Sequence, residues 1–344
     1  MSPTQQPIPA FHARSAREWS LPPAHGPRFF LTLVIVALLV LWSGRNVEMD
    51  RMLVETGGAL AHSVGLKEES QVAEGAGALL QAMFPPVFSL ETAIDRIDDF
   101  DPDRLPLFSR LEVREQLDVE INYETLEQNI LVVREEILVQ PLGYLVLVLQ
   151  KMGETLEIGL WGTFIAVLLS LPLAYFSARN YSPNRASYFA ARGTVSFFRT
   201  IPELISALLL VLAFGFGPIA GVLALGLHCT GFLGKFYAED IENAERGPQD
   251  ALRALGAGRL RVLRVAVIPQ VLPQYIAYTL YILDRNVRMA AVIGIVGAGG
   301  IGQELKGRYD VFDYGHVATI LLVLFVTVLL LDHLSARIRA RIIR

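Results

Sequence analysis

Two polar stretches in the apolar second half of the chain hold residue types and spacings that can do chemistry. The first runs from Glu239 to Pro273 and reads EDIENAERGPQDALRALGAGRLRVLRVAVIPQVLP. It carries Arg246, Arg253, Arg259, Arg261 and Arg264 between two apolar runs of membrane length. Inside it, Asp250-Ala251-Leu252 is followed by Gly256 and Gly258, and then by Ala266-x-Ile268-Pro269. A polar loop of this kind between crossings is suited to binding a partner. The second stretch, Tyr281 to Arg288 (YILDRNVR), interrupts an apolar run near its middle. Ionisable groups in hydrocarbon cost about 2.5–3.5 kcal/mol each on insertion scales, so they are expected to face a bundle interior or a wet cavity. Asp284 and Arg288 are four residues apart and are expected to pair on one helix face. That leaves Arg285 as an unpaired positive charge. With Asp284, Asn286 and Arg288, and with His228 from another apolar run, it is a candidate lining for the path of an anionic solute. The plainer alternative is a neutralised pair that holds helices together, with His228 a satisfied buried histidine. Arg199 and Glu203, also four apart, are expected to form such a structural pair.

Other chemistries are excluded by what the motifs lack. Gly297-Ala298-Gly299-Gly300-Ile301-Gly302 has the form G-x-G-x-x-G and follows the apolar AAVIGIV. A dinucleotide site needs further βα alternation and an acid about 20 residues on, and here a membrane-length apolar run follows instead. These glycines are better suited to close helix packing or to irregular backbone lining a cavity. No G-x-x-x-x-G-K-[ST], H-E-x-x-H or G-x-S-x-G occurs, so neither a P-loop nor these hydrolase sites are expected. The six histidines (His12, His25, His62, His228, His316, His333) show no metal-ligand spacing. Cys229 is the single cysteine and lies in an apolar run, which excludes an intrachain disulfide.

The elements that must position these residues are membrane helices. The chain has 344 residues, 53% hydrophobic and only 19% charged, where soluble domains sit near a quarter charged. Its mean hydropathy is +0.43, and the apolar excess falls in blocks. Six crossings are expected: Phe29–Gly44, Leu156–Ala178, about Val195–Phe214, Ile219 to about Phe236, Val271 to about Val296, and Gly315–Leu331. The first is short for a span, and a signal peptide is its rival. However, no small-x-small cleavage motif follows and Trp42 suits an interfacial anchor, so an uncleaved span is expected. LGYLVLVLQKMG (Leu142 to Gly153) is expected to lie at the interface. The region 45–140 holds twenty acidic residues against eight basic ones. Its acidic cluster (Asp95, Asp98, Asp99, Asp101, Asp103) lacks the calcium-loop pattern and is expected to be a solvated face. A helix is expected over Leu111–Val139.

Arginine-rich segments alternate with segments that are not. The N-terminal tail, the Arg179–Arg192 loop, the Arg246–Arg264 loop and the tail SARIRARIIR fall at one parity. The positive-inside rule then predicts a cytoplasmic tail at 1–28, a first transmembrane helix at 29–44 and an acidic extracytoplasmic region at 45–140. It continues with a transmembrane core at 141–333, in which the loop 239–270 is cytoplasmic, and a basic cytoplasmic tail at 334–344.

The spaced motif Asp250-Ala251-Leu252-x3-Gly256-x9-Ala266-x-Ile268-Pro269 resembles the EAA loop of ABC-importer permeases, E-A-A-x3-G-x9-I-x-L-P. The segments GPIAGVLALGLHCTG (Gly217–Gly231), RALGAG (Arg253–Gly258), VIPQVLPQYIAYTLY (Val267–Tyr281) and NVRMAAVIGIVGAGGIG (Asn286–Gly302) resemble the phosphonate permease subunit of the PhnE type, as do FPPVFS (Phe84–Ser89) and ETLEIGLWGT (Glu154–Thr163). The resemblance covers about Trp42–Ser89 and Leu142 to the C-terminus. It implies an all-α polytopic protein with the type I ABC-importer (MetI-like) fold, passing phosphonate or a related phosphorus oxyanion inward. Phosphite, phosphate or another small anion is the alternative cargo, and a membrane scaffold that carries nothing is the rival from another class. It implies a homodimer in membrane lipid, a separate ABC ATPase that uses the ATP, and an extracytoplasmic phosphonate-type binding protein. It implies no bound cofactor, no metal, no catalysis by this chain and no nucleic acid. In the family the EAA loop is a helical hairpin that docks on the ATPase. Here Asp250–Ala254 would be its first helix, Gly256 and Gly258 its turn and Arg259–Val267 its second helix, with Pro269 ending it. Two departures stand out. Residues 90–140 are an insertion, with contact to the binding protein as one hypothesis for it, and Arg285 replaces a residue that is more usually small and polar.

Overall fold

The computed structural model describes residues 26–65, 70–97, 100–102, 105–106, 108–121 and 128–342. Most of the expected N-terminal tail, with His12 and His25, therefore lies outside the described residues, as do Asp98, Asp99 and Asp103. The chain divides into two compact units, Met1–Ala78 and Leu79–Arg344, and the division falls within a helix.

In the first unit, α1 (Pro27–Asn46) starts with proline in its first turn, where the missing N–H is harmless. Its 20 residues make about 30 Å of helix, the thickness of a bilayer core. Helix α2 (Met49–Ser63) follows, and then α3 (Gln71–Met83), which holds the division.

The second unit opens with the extended FPPVFS. Val87 N donates to Gly315 O, and Thr319 Oγ1 donates to Val87 O. Next come β1 (Leu90–Ala93), β2 (Arg110–Ile121) and β3 (Gln128–Gln140), an antiparallel sheet in the order β1-β3-β2. The helix expected over Leu111–Val139 is thus corrected to a β-hairpin. Leu111, Val113, Leu117, Val119 and Ile121 alternate with polar residues, and β3 is rich in β-branched residues. A period of two with stiff side chains is the signature of a strand.

The bundle begins with α4 (Gly143–Ser177), 35 residues long. The segment 142–153, expected as a separate interfacial piece, forms its first turns instead. Lys151 and Glu154 interrupt the hydropathy but pair at 2.8 Å along the helix, and both are good helix formers. Tyr144, Val148 and Met152 are buried with Val287, Ile301 and Ile320.

Five helices of the described residues are long and apolar enough to cross a membrane, or six if one bent pair counts as a crossing. That pair is α5 (Arg185–Thr200) and α6 (Glu203–Phe214), which meet at 89°. The third crossing is thus not one helix. Pro202 has no N–H to continue α5 and holds Ile201 extended. The 12 residues of α6 make only about 18 Å of helix.

Helix α7 (Pro218–Asn243) lies against α4 through small residues. A Cβ at Gly162 would come within 3.0 Å of Leu225, and one at Gly226 within 3.0 Å of Ile165, so the two backbones approach as closely as glycine allows. After α8 (Arg246–Ala254) and α9 (Arg259–Val262), a π-turn at Leu263–Val267 leads into α10 (Ile268–Gly294). Helix α11 (Gly300–Asp310) and α12 (Tyr314–Ile342) complete the chain. Within the described residues, the expected basic tail at 334–344 is the last part of α12.

Candidate functional site

Helices α8 and α9 form a short hairpin at the end of the bundle where α4 stops and α5 starts. Helix α8 begins at Arg246, earlier than the expected Asp250, and places Asp250, Ala251 and Leu252 in its second half. The turn is a Schellman closure. Gly256 N donates to Arg253 O at 2.9 Å, and Ala257 N donates to Leu252 O at 3.0 Å. Gly256 has φ +80°, where a side chain would be strained. Gly258 has an ordinary extended backbone and caps α9, so the left-handed turn belongs to Gly256 alone. Asp250 is exposed and pairs with Arg253 at 2.8 Å. Leu255 at the turn is 83% exposed and Leu260 is 68% exposed, so the tip presents leucines among the exposed side chains of Arg246, Arg259 and Arg261.

Pro269 follows the hairpin's second half, Arg259–Val267, and enters the next element. It lies in the first turn of α10, and the helix runs from Arg259 to Gly294 through the π-turn. A proline tolerates the first turn of a helix, and the wider π-turn precedes it here. Ile268 starts α10. Gln270 fastens the two sides of the hairpin. Its amide donates to Ala266 O, and its Oε1 accepts from Glu245 N at 2.9 Å.

The residue that anchors the hairpin to the bundle was missed in the sequence. Gln249 is only 4% exposed. Its Nε2 donates to Ala244 O and Glu245 O, and its Oε1 accepts from Tyr181 Oη at 2.8 Å. Burial pushes the Tyr181 phenol up against an opposing effect of Arg253, so the hydroxyl stays a donor. Nearby, Glu242 accepts from Arg192 Nη2 at 3.0 Å and from Arg179 N at 2.7 Å, which joins α5 and the end of α4 to α7. The signal for Gln249 was slight: a polar residue directly before the motif, in a helix whose other polar residues face out.

The second site lies inside the bundle. The five residues proposed for a solute path fall into two groups. Asp284 and Arg288 pair as expected, and Arg288 Nη1 also reaches Asp332 Oδ1 of α12 at 3.4 Å. Arg285, Asn286 and His228 meet in a separate cluster. Arg285 is not unpaired, because its Nη2 donates to Glu203 Oε1 at 2.6 Å. Glu203 Oε2 faces His228 Nε2 at 3.0 Å. Arg285 Nη1 lies 3.8 Å from Cys229 Sγ, which donates to Asn286 Oδ1 at 3.0 Å. Asn286 Nδ2 donates to Thr163 Oγ1 of α4. The Phe232 ring lies 5.4 Å from the Arg285 guanidinium carbon, within cation–π range. The expected Arg199–Glu203 pair is therefore corrected. The α5–α6 bend lies between the two residues and turns Glu203 toward α7 and α10.

At the opposite end of α4, the glycine segment is folded against that helix. Gly300 N donates to Glu154 Oε1 at 3.0 Å, and Ile301 N to Thr155 Oγ1 at 2.8 Å. Two of the free N–H groups at the start of α11 are thus satisfied by α4 side chains, which is a packing role. No group of metal-ligating side chains occurs among the described residues.

Comparison with known proteins covers most of this architecture. The chain is 57% identical over 261 residues, 76% of this chain and 100% of the relative, to HtxE of Stutzerimonas stutzeri, whose name assigns it as a phosphite transport system permease. A match of that length within 344 residues runs across 84–261, and so across the three-stranded sheet. The phosphate-import permease PhnE of Mycolicibacterium smegmatis is 40% identical over 191 residues, 56% of this chain and 36% of that protein. Among solved structures, an inward-facing MetNI methionine ABC transporter chain superposes with TM-score 0.52 at 24% identity, covering 58% of this chain and 98% of that one, which shows a shared fold. Residues 170–344 match the family described as the binding-protein-dependent transport system inner membrane component. This chain, with its crossings, its hairpin and its buried polar cluster, belongs to that family.

Proposed function

We propose that this chain is the membrane-spanning subunit of an ABC importer that carries a phosphorus oxyanion (phosphonate, phosphite or phosphate) into the cytoplasm. Two copies form the pore. A separate ATPase subunit binds and hydrolyses the ATP, and a separate extracytoplasmic binding protein delivers the solute. This chain has no P-loop and catalyses nothing itself. Both termini and the α8–α9 hairpin face the cytoplasm, in keeping with the arginines of residues 246–264 and of the C-terminal segment. The single observation that carries the reading is the match at 57% identity over the whole length of a permease named for phosphite transport.

The hairpin supplies the means of coupling. A Schellman turn holds its tip, Gln249 and Gln270 fix its base, and exposed Leu255 and Leu260 offer apolar surface to a groove on another protein. When two ATPase subunits close, the hairpins move with them and swing the bundles as rigid bodies, alternating access to the path. Asp250, Ala251, Leu252, Gly256, Gly258, Ile268 and Pro269 act in coupling. Arg285, Asn286 and His228 line the path, and Asp284 and Arg288 hold α10 to α12.

The test is co-purification with the ATPase encoded beside this chain, together with uptake of phosphite and methylphosphonate. Gly256→Asp forces a side chain into left-handed backbone at a cost of about 1–2 kcal/mol and puts a charge at the docking tip. It should abolish uptake and at least most of the ATPase recovery, while the chain still reaches the membrane. Full uptake with full ATPase recovery in that variant would refute the coupling role.

A further inference from the structure

Glu203, His228 and Arg285 come from α6, α7 and α10, and their hydrogen bonds determine how many protons they hold. His228 Nδ1 lies 2.8 Å from the carbonyl oxygen of Ile201. A carbonyl oxygen only accepts, so Nδ1 carries a hydrogen. The other ring nitrogen, Nε2, lies 3.0 Å from Glu203 Oε2. With Nδ1 protonated, a neutral ring has no hydrogen on Nε2, and a bare nitrogen facing an ionised carboxylate would be repelled. One further proton must therefore sit between them, on the ring or on the acid. In either state His228 and Glu203 together are neutral, and Arg285 leaves the triad with one net positive charge.

No acid other than Glu203 pairs with Arg285 among the described residues. Asp284 and Asp332 are held by Arg288 on another face of α10. Arg199 has no ion pair among the described residues, and its Cβ stands against α7, 3.0 Å from where a Cβ on Gly231 would lie. Positive charge in a membrane interior is costly unless an anion meets it. Arg285 is able to meet one. Of its five N–H donors, one goes to Glu203 and one to the Cys229 sulfur, so three are free. Its side chain is 27% exposed, while those of Glu203 and His228 are 13% and 6% exposed.

We propose that Glu203 is a displaceable counter-anion. A tetrahedral phosphorus oxyanion in transit takes its place on Arg285 and on the protonated His228, and Glu203 re-forms the pair when the solute leaves. No covalent bond changes and no proton has to leave the site, since the oxyanion accepts the same two hydrogen bonds as the carboxylate. A guanidinium binds such an oxyanion through two parallel N–H groups. The released carboxylate is stabilised where it stands, in the first turn of α6, by the free N–H groups and dipole of that helix. The resting path is therefore closed to anions by its own acid, and only an anion that binds the fork better passes. This assignment rests on the importer reading.

Cys229, the only cysteine of the chain, borders the site and is buried. In the complete permease–ATPase complex in lipid nanodiscs, its alkylation by N-ethylmaleimide, read on this subunit by mass, reports occupancy. Phosphite, methylphosphonate and phosphate should each change the wild-type rate severalfold, and chloride should not. Glu203→Gln removes the competing charge and should bring the half-effect concentration down about tenfold. Arg285→Lys, which keeps the charge but loses the fork, should raise it by about tenfold. If Glu203→Gln does not assemble, the wild-type and Arg285→Lys titrations still decide. A wild-type rate indifferent to all three oxyanions, or the same half-effect concentration in Glu203→Gln as in wild type, overturns the proposal. Cellular phosphite uptake separates the two readings. Uptake that needs this chain, with an indifferent Cys229, removes only the counter-anion. Uptake of all three oxyanions independent of this chain removes the importer reading.

Discussion

Gln249 and Glu203 show how single side chains in this protein take their meaning from partners distant in sequence. Gln249 is bonded to Tyr181 from the loop after α4, so it fastens the hairpin to the bundle. Gln249→Leu leaves the Ala244 and Glu245 carbonyls and the Tyr181 hydroxyl without this partner, a loss of about 1–3 kcal/mol for buried polar groups. The expected result is a lower melting temperature of the complex and fewer solutes moved per ATP hydrolysed. Tyr181→Phe should do the same more weakly, and unchanged coupling in both would make Gln249 a mere helix cap. Glu203 was legible as a costly charge in an apolar run, but its partner was not. The i,i+4 rule that matched it to Arg199 assumes one continuous helix, and Pro202 interrupts that helix between them. The same rule succeeded for Asp284 and Arg288, which share the uninterrupted α10.

At the scale of elements, crossings were legible wherever hydropathy was unbroken. Errors came where local chemistry cut across it. Lys151 and Glu154 break the hydropathy over the first turns of α4, and 111–121 alternates with a period of two inside a stretch long enough for a helix. The close seam of α4 and α7 depends on Gly162 and Gly226. Gly226→Leu places a side chain where Ile165 already stands and should strip the assembled permease from the membrane fraction, measured as subunit recovered with the ATPase. Gly193→Ala, which meets nothing within 4 Å on α5, should leave recovery unchanged or slightly raised, because alanine favours helix. Equal recovery of both variants would remove the seam from the account of assembly.

For the whole molecule, the region 90–140 is the part that distinguishes this chain from a bare transmembrane bundle. Its sheet is joined to the bundle through β1 and the start of α4. Ala93 and Ile137 are opposed Cα partners across β1 and β3, so 94–136 can be replaced by a two-residue Asn-Gly turn without opening that join. If the sheet meets the binding protein, this variant should keep the ATPase and lose most uptake. Uptake at the wild-type level would show that the sheet plays no part in delivery.

The sequence alone determined the class. Blocks of apolar residues at membrane length, arginines at alternating loops and one spaced motif hold whatever the packing, because hydrocarbon tolerates only satisfied backbone and topology follows charge. Only the tertiary structure decided which charges meet. Hydrogen bonds, close seams and anchors join residues up to 232 positions apart, as Thr319 and Val87 do, and no local period records such a contact. The hairpin motif could be read in the sequence because its residues lie within one loop. The triad of Glu203, His228 and Arg285 became visible only when a proline bend brought three helices together.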